Sequence, residues 1–199
     1  MTWERNFIGG KIGLSGSRIL LREVTVDDGM LISYWRNTPE AQKWFFGQTV
    51  VTPGSHRDFI NHSDMYNPIW IGELLQSNQP IGMAGLKVNP YARTAEHGQI
   101  LVSPSSSGKG YAREIEYIVL TIAFEVFQLR ELWCEVLVGN DPVLKLHETT
   151  GFKRVGIDIH GHESSRGRVV FITYDRETWA EKRLEFRRDF GVQLEEWTP

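Results

Sequence analysis

The feature that most constrains this chain is a polar, glycine-containing turn between a strand pattern and a long helix pattern. Residues 100–112 read ILVSPSSSGKGYA, and residues 112–127 then carry apolar side chains at helical spacing. That spacing predicts an amphipathic helix with a broad buried face. The first N–H groups of a helix lack intrahelical partners, and the helix dipole adds partial positive charge there. The turn therefore predicts an anion site of the kind that holds a pyrophosphate.

Two glycines make the backbone of this turn accessible to a ligand. Gly108 and Gly110 can adopt positive φ and carry no side chain that would keep a phosphate away, and Lys109 between them adds a charge. The segment is not a Walker loop or a dinucleotide fingerprint, because the Lys-Ser or Lys-Thr pair, the third glycine and the ribose-binding acid are missing. The tripeptide alone is a weak signal and favours an ordinary flexible turn.

The order of the remaining patterns predicts an α/β (α+β) fold. We expect a mixed, mostly antiparallel sheet of about seven strands flanked by helices. The predicted strands are 18–22, 69–75, 80–88, 96–102, 132–138, 153–158 and 168–174. The predicted helices follow Thr25, begin at Pro39, and cover 56–63, 112–127 and 141–150. If the strands at 96–102 and 132–138 share a sheet, the helix between them makes them parallel.

The chain is predicted to form one domain over residues 1–175, with a C-terminal helical extension over 176–199 packed on it. The extension is rich in charged residues, and Trp179, Leu184 and Phe186 suggest a thin apolar stripe. The first 16 residues lack the apolar core of a signal peptide, and no segment has the roughly 20 apolar residues of a membrane span. These patterns predict a cytoplasmic protein without a membrane partner.

Composition narrows the function classes further. The 199 residues have a formal charge of -3, which gives no global reason to bind nucleic acid. The single cysteine, Cys134, lies in an apolar strand pattern with no histidine nearby in the sequence, so we expect a small core residue. The run His160-Gly161-His162-Glu163 is a weak metal signal and favours a hairpin loop. No metal site is predicted.

A second motif follows one strand after the long helix. Residues 140–152 read NDPVLKLHETTGF. The two motifs together resemble motifs A and B of the GCN5-related N-acetyltransferases. The first resembles the family at Gly110 and Ala112, with Ser107 where the family usually has glutamine or arginine, and the second resembles it from Asn140 to Phe152. The similarity spans about residues 20–175, and its amino-terminal part resembles the branch of ribosomal-protein and sugar-nucleotide acetyltransferases.

The resemblance implies an N-acetyltransferase that uses acetyl-coenzyme A and no metal. The acceptor is expected to be a primary amine of an amino sugar, a sugar nucleotide or a protein N-terminus, and a homodimer is left open. Backbone N–H groups of Leu101 or Val102 are expected to donate to the thioester carbonyl. The implied residues for the co-substrate are Leu101, Val102, Ser107, Gly108, Lys109, Gly110, Tyr111, Ala112, Asn140 and Val143.

Three side chains are candidates for the chemistry. His147 falls where many relatives carry the tyrosine that protonates the coenzyme A sulfur, and its alternative is a histidine that only packs. Glu96 lies six residues before Val102, so strand alternation predicts that both face one way, with His97 opposite. Glu96 is then a candidate base for the amine, or a solvated strand-end residue. Asn140 suits either the pantetheine amide or a helix cap.

The acceptor side is expected to involve the aromatic helical region near residues 35–46. Its candidate substrate-binding residues are Trp35, Arg36, Trp44 and Phe46, with Phe45 beside them. An exposed set suits a sugar ring or a base, whereas the alternative is ordinary helix packing. A peptide N-terminus or an aminoglycoside stays open, and an aminoglycoside would require a strongly acidic cleft, for which the sequence shows no clustered acidic residues. Two other classes stay open, a non-catalytic acyl-coenzyme A binding or regulatory module and a nucleotide-phosphate enzyme.

Overall fold

The computed structural model describes residues 14–45, 50–52, 54–55, 66–158 and 167–191. Within these residues one sheet has the strand order β1-β2-β3-β4-β5-β6-β8-β7. Its strands are β1 (Leu14–Ser15), β2 (Ile19–Glu23), β3 (Ile69–Leu74), β4 (Pro80–Asn89), β5 (Thr94–Val102), β6 (Glu131–Leu137), β7 (Lys153–Asp158) and β8 (Val169–Asp175). The mixed fold is confirmed, and its described sheet has eight strands where about seven were predicted.

Five α-helices are described. They are α1 (Gly29–Arg36), α2 (Pro39–Trp44), α3 (Tyr111–Thr121), α4 (Asp141–Thr150) and α5 (Arg176–Phe190). Thr38 caps α2 by accepting a hydrogen bond from the Ala41 N–H at 3.3 Å, and Pro39 occupies the first turn, where its missing N–H costs nothing. The predicted helix at 56–63 lies outside the described residues. None of the described helices combines the length and apolar character needed to cross a membrane.

The parallel pair β5 and β6 is the feature of the sheet that positions the site. Residues Thr94 to Glu96 pair with Glu131 to Trp133, and no further pairing joins the two strands. All other neighbouring strands are antiparallel. β5 therefore stays attached to β4 along its length while its second half separates from β6.

The main core lies between the sheet and α3 to α5. Ile115, Ile118 and Val119 of α3 are completely buried against the sheet. Gly82 of β4 has no room for a side chain, because an added Cβ would collide with the carbonyl oxygen of Leu101 on β5 and would lie 3.3 Å from Ile115. A smaller core with Ile32, Trp35 and Met83 lies under α1 on the opposite face. The sheet is thus covered on both faces, which fits its largely apolar strands.

The C-terminal helix contributes more to the core than a thin stripe. Trp179, Phe186 and Phe190 are buried, and their rings lie 5.0–5.9 Å from that of Tyr117 on α3. Leu184, predicted to contribute to the stripe, is 61% exposed. The sequence prediction was wrong there because Leu184 lies on the outer side of α5. The proposed boundary at residues 175 and 176 stays a prediction.

Candidate active site

A slot through the sheet follows from the separation of β5 and β6. It has a volume of about 680 Å³ and reaches both faces of the sheet. The α3/α4 side of the slot is lined by His97, Val102, Cys134, Asn140, Val143 and His147. The α1/α2 side is lined by Trp35, Arg36, Glu40, Trp44, Phe45, Lys87, Glu96, Leu101 and Glu135. A ligand in the slot can therefore be approached from two chemically different sides.

A β-bulge in β5 overturns one prediction about the site. Met83 pairs with Leu101 and Gly85 with Gly98, so one residue of β4 faces two of β5, and Gln99 has a φ of 57°. The extra residue reverses the alternation of side chains beyond it. Glu96 and Val102 consequently point to opposite faces of the sheet, although simple alternation predicted the same face. His97, predicted to lie opposite Glu96, shares the face of Val102.

The separated half of β5 presents one backbone donor to the slot. The N–H of Ser103 donates to the carbonyl of Ile81 at 2.8 Å, so that position faces β4. N–H groups alternate in direction along a strand, which turns the N–H of Leu101 towards β4 and that of Val102 towards the slot. Of the two predicted donors, Val102 has the better direction.

The turn before α3 has the backbone geometry expected of an anion site. Gly108 and Gly110 have φ values of 75° and 76°, in the region that favours glycine. Gly110 caps α3 without a side-chain hydrogen bond, so the first-turn N–H groups remain available. The side chain of Lys109 donates to the Ser105 carbonyl at 2.9 Å. Ser107 lines the slot, whereas Tyr111 and Ala112 begin the helix beside it.

Arg18 is a cation at this turn that sequence reasoning missed. Its guanidinium donates to the carbonyl of Lys109 at 3.3 Å and lies 4.9 Å from the centre of the Tyr111 ring. Arg18 also forms an ion pair with Glu114, in which Arg18 Nε lies 2.7 Å from Glu114 Oε2. The carboxylate also accepts hydrogen bonds from the Arg18 N–H and from Ser17. This brace fixes the turn against β2.

A buried polar cluster lies on the α3/α4 side of the slot. His147 Nδ1 is hydrogen-bonded to Glu116 Oε1, and His147 Nε2 lies 3.8 Å from Cys134 Sγ. His147 and Glu116 are completely buried, and Cys134 is 6% exposed. The absence of a nearby histidine in the sequence thus did not exclude one beside Cys134 in the fold. Thirteen residues of chain separate the two, but α4 packs back over β6 and brings them together.

The two histidines of this cluster, His97 and His147, have different protonation states at neutral pH. Burial alone disfavours a charged imidazole, but Glu116 and Cys134 outweigh it and raise the pKa of His147 to about 10. Burial and the neighbouring His147 lower the pKa of His97 to about 4. At neutral pH the cluster thus contains an imidazolium, His147, and a neutral His97. His97 Nε2 lies 3.9 Å from Glu116 Oε1, beyond hydrogen-bond distance, so the carboxylate raises the pKa of His97 less than burial and His147 lower it.

The α1/α2 side of the slot gathers acidic side chains. Glu96 forms an ion pair with Lys87 at 3.3 Å, and Glu40 accepts a hydrogen bond from Trp44 at 2.8 Å. Glu135 follows Cys134 on β6 and points to this side. The three carboxylates come from a helix and two strands, which explains why they do not cluster in the sequence.

The predicted substrate-binding residues have different environments. Trp35 is only 3% exposed and belongs to the smaller core, although its edge lines the slot. Arg36 lies 4.3 Å from the centre of the Phe45 ring, and burial lowers its pKa. Trp44 lines the slot from α2. Phe46 lies outside the described residues, as does the run at 160–163.

Asn140 and Val143 lie where β6 leads into α4, at the wall of the slot. Asn140 is 7% exposed and occupies the N-cap position, but its side chain makes no cap hydrogen bond. Of the two roles left open for Asn140, capping is contradicted. The ligand role stays a prediction.

A glycine turn at the start of a helix, next to a slot through the sheet, is the arrangement expected in proteins that bind a pyrophosphate-bearing carrier. The chain matches the family model of the acetyltransferase (GNAT) domain over residues 18–153. It therefore belongs to the GNAT acetyltransferases and is an acetyl-coenzyme A-dependent N-acyltransferase. The resemblance inferred from the two motifs is confirmed, and the narrower branch stays a prediction.

Individual relatives share both sequence and fold. The chain is 26% identical to spermidine N(1)-acetyltransferase of Vibrio cholerae over 131 residues, which are 63% of this chain and 68% of the relative. The crystal structure of spermidine N-acetyltransferase from Vibrio cholerae in complex with CoA and spermine has a TM-score of 0.74 at 22% identity. It covers 82% of this chain and 99% of that one.

A second solved structure has the same fold at lower identity. It is a GCN5-related N-acetyltransferase from Brucella melitensis, with a TM-score of 0.76 and 16% identity. The likeness covers 90% of this chain and 85% of that chain. The fold predicted from the two motifs thus recurs in proteins with few identical residues.

Proposed function

We propose that this enzyme transfers the acetyl group of acetyl-coenzyme A to a primary amine of a linear polyamine. The observation that carries the proposal is the α1/α2 side of the slot, which is lined by three carboxylates, those of Glu40, Glu96 and Glu135, and by two cations, Arg36 and Lys87. A polyamine carries several ammonium groups, and each is stabilised by a nearby carboxylate. The amino sugar and protein N-terminus expected from the sequence have no comparable support.

The relatives support the same substrate class. The similar Vibrio cholerae protein is named for spermidine, and its solved structure contains CoA and spermine. At 26% identity the substrate does not follow from likeness alone. The acidic side of this chain's own slot supplies the independent argument.

The backbone is proposed to bind and polarise the co-substrate. The free amides at the start of α3, with Arg18 beside them, suit its pyrophosphate. The N–H of Val102 is the proposed donor to the thioester carbonyl as negative charge develops on its oxygen. A preorganised donor of this kind is worth about 3 kcal/mol in the barrier.

Two side chains are proposed to move protons. Glu96 takes a proton from the ammonium group, because the amine attacks only in its neutral form. His147 gives its Nε2 proton to the departing coenzyme A sulfur, a role supported by its raised pKa and its position on the slot wall. Asn140 and Val143 are the proposed contacts for the pantetheine arm.

A substrate panel tests the proposed activity. Free-thiol release from acetyl-coenzyme A is measured with spermidine, spermine, an amino sugar, an aminoglycoside and an N-terminal peptide. We expect kcat/KM to be highest for the polyamines, and preference for any other amine would overturn the proposal. Stabilisation by acetyl-coenzyme A without thiol release for any amine would instead favour the non-catalytic binding module.

Two variants separate the acceptor side from the co-substrate turn. Glu96→Gln is expected to lower kcat/KM for spermidine about 100-fold, because a general base contributes roughly that factor. Its matched control is Glu181→Gln, which removes the same charge from the exposed side of α5. Gly110→Val places a branched side chain at a φ of 76° and should abolish stabilisation by acetyl-coenzyme A.

A further inference from the structure

Glu116 on α3 is a buried carboxylate bonded to the side chain that is proposed to protonate coenzyme A. Glu116 Oε1 accepts a hydrogen bond from His147 Nδ1, and neither residue has exposed surface. The two residues lie 31 positions apart in the chain, so only the packing of α3 beside α4 brings them together. A charged side chain is seldom buried completely without a partner. The pair therefore has to be explained by the stability of the fold or by the chemistry of the slot.

The hydrogen bond at Nδ1 decides which nitrogen of His147 faces the slot. Nε2 lies on the opposite edge of the ring, 3.8 Å from Cys134 Sγ, and both side chains line the slot. A thiol is a weak acceptor, so this contact leaves a proton on Nε2 available. A neutral ring bonded to a carboxylate carries its single proton on Nδ1 and presents a lone pair at Nε2. Nε2 can therefore donate only while the ring is an imidazolium.

The charge of Glu116 keeps His147 in that form. Burial disfavours the charged ring, and Glu116, with a further contribution from Cys134, outweighs it and raises the pKa of His147 to about 10. The other titratable groups that face the pair are His97 from β5 and Tyr174 from β8. Burial and His147 lower the pKa of His97 to about 4, and burial raises the pKa of Tyr174, so both are neutral near pH 7. Among the described residues, Glu116 thus supplies the negative charge on which the imidazolium depends.

Neighbouring rings restrain the plane of the imidazole but supply no charge. The ring centre of His147 lies 4.9 Å from that of Phe152 and 5.6 Å from that of His97. Stability alone is a poor explanation for the carboxylate, because a buried ion pair is often no more stable than apolar residues of similar volume. Glu116 Oε2 also has no hydrogen-bond partner among the described residues. These observations favour a role in the chemistry of the slot.

We propose that Glu116 is a positioning residue of the transferase, which holds the ring of His147 and keeps a proton on its Nε2 for the departing coenzyme A sulfur. The proposal rests on the acetyl transfer proposed above and deepens it. A tyrosine at residue 147 would keep its proton at neutral pH without help, since the ordinary phenol pKa is about 10, whereas a buried imidazole would not. A buried histidine acts as the donor here because a carboxylate lies behind it.

The proton transfer balances within the groups named. When the bond between the carbonyl carbon and the coenzyme A sulfur breaks, its electron pair goes to the sulfur, and the Nε2 proton of His147 follows. The products are the free thiol and a neutral imidazole whose remaining proton, on Nδ1, stays on Glu116. Glu96 releases to solvent the proton that it took from the amine, and His147 regains a proton from solvent through the slot. Glu116 itself touches neither substrate.

Nuclear magnetic resonance of the full chain with isotope-labelled histidine measures the protonation of His147 without turnover. The chain has six histidines, and the signals of His147 are assigned by their loss in His147→Gln. We expect both ring nitrogens of His147 to carry protons at neutral pH and to titrate near pH 10. In Glu116→Gln the ring should be neutral at neutral pH. A neutral ring in wild type, or a charged ring in Glu116→Gln, would overturn the proposal. This measurement needs no amine, so the absence of polyamine acetylation would overturn only the proposed function.

A double-mutant cycle tests whether Glu116 acts through His147. Glu116→Gln alone should lower kcat for spermidine about 100-fold and leave the KM for acetyl-coenzyme A within a few-fold of wild type. In the His147→Gln background the same exchange should have no further effect on kcat. If the losses of kcat multiply in the double variant, Glu116 acts independently of His147 and the positioning role is wrong.

The pH dependence of kcat separates positioning from a purely structural role. In wild type the alkaline decrease of kcat should follow the titration of His147 near pH 10. In Glu116→Gln it should begin below pH 7, because burial then lowers the pKa of His147 from its ordinary value of about 6.5. An alkaline decrease at the same pH in both proteins would contradict the proposal.

The conservative variant Glu116→Asp separates charge from shape. Asp keeps the carboxylate at a greater distance and should recover about 10-fold of the kcat that Glu116→Gln loses, with the wild-type pH dependence. Urea unfolding checks that each variant folds. If Glu116→Gln does not fold, the histidine titration in wild type and in Glu116→Asp decides the question, and a His147 that is neutral at neutral pH in both would overturn the proposal.

Discussion

Two buried carboxylates two residues apart on α3 have opposite environments. Glu114 has a completely buried side chain whose oxygens meet Arg18 and Ser17, and its bonds are distributed over both oxygens. Glu116 is equally buried, but one oxygen is bonded to His147 and the other has no partner among the described residues. Residues two apart on a helix lie on different sides of it. The same carboxylate group therefore has different hydrogen-bond partners at the two positions.

The difference indicates that the buried charge of Glu114 serves the fold and that of Glu116 serves the chemistry. Glu114 is balanced by a guanidinium that is partly in solvent, and the pair braces the turn before α3. Glu116 is balanced by the imidazolium of His147, whose pKa is raised to about 10 and which can give up its proton during a reaction. If a buried charge matters for the fold, loss of its partner should lower the free energy of unfolding. If it matters for turnover, its removal should change the rate and its pH dependence.

The largest effect is expected from Glu116→Gln compared with Glu114→Gln. Glu116→Gln should reduce kcat for spermidine about 100-fold, because His147 loses the charge that keeps its proton available. Glu114→Gln should leave kcat within a few-fold of wild type. Steady-state kinetics across pH check this pair. Equal losses of kcat in the two variants would remove the distinction between the carboxylates.

A smaller effect, on stability, should appear when Glu114 loses its cation. Arg18→Met leaves a buried carboxylate without its partner and is expected to lower the free energy of unfolding by about 2 kcal/mol, reduced because Arg18 is partly exposed. The KM for acetyl-coenzyme A should rise, since Arg18 also holds the carbonyl of Lys109. Urea unfolding and initial rates measure both. An unchanged KM would show that the brace does not reach the turn.

The pH dependence of stability sharpens the comparison. His147 has a folded-state pKa of about 10, above its unfolded value of about 6.5, so its contribution is complete below pH 6.5 and is lost as pH rises towards 10. The slope reaches at most about 1.4 kcal/mol per pH unit. The groups around it are Glu116, His97 and Cys134, with Tyr174 near Glu116. His147→Gln should flatten the alkaline arm.

His97 should produce the acid arm of the curve that relates the free energy of unfolding to pH. Its folded-state pKa is about 4, below the unfolded value, so the neutral ring favours folding above pH 6.5 and this contribution is lost as pH falls from 6.5 to 4. Urea unfolding between pH 4.5 and 9.5 should therefore show a maximum near pH 6.5, within about one unit. His97→Gln should flatten the acid arm alone, and an acid arm unchanged in that variant would contradict the assignment.

The smallest effect is expected at the solvent-facing carboxylate. Lys87→Gln removes the ion-pair partner of Glu96, a half-exposed pair worth less than about 1 kcal/mol. Stability should change little, whereas the KM for spermidine should fall about 2- to 5-fold because Glu96 is free to meet an ammonium group. An unchanged KM for spermidine would separate Glu96 from acceptor binding.

Much of the fold could be predicted from short-range patterns. The helices at 112–127 and 141–150 and the strands at 69–75, 80–88 and 132–138 follow from periodicity and from Gly151, whose φ is 116°. The long helix differs in one detail, since residues Ile122–Val126 form a π-helical turn. Arg176 donates to the carbonyl of Phe124 in that turn at 2.8 Å. No local sequence pattern predicts this contact, because Arg176 and Phe124 are 52 residues apart in the chain.

The site could be predicted only in part. The turn at 107–112 and the motif with His147 were visible because each is a contiguous segment whose residue types have a direct chemical meaning. Glu116 looked like any charged residue on a helix, and Cys134 like any small apolar residue of a strand. The face of Glu96 was predicted wrongly because a bulge at Gln99 leaves no reliable mark in the sequence.

The sequence by itself determined the class of fold, the glycine turn before α3 and the family, since these depend on hydrophobic period, glycine geometry and contiguous motifs. The tertiary structure alone decided which charges are buried together and which face of the sheet each side chain occupies. The physical reason is distance: periodicity acts over a few residues, whereas the meeting of Cys134, His147 and Glu116 depends on how a helix pair packs on a sheet whose two central strands diverge.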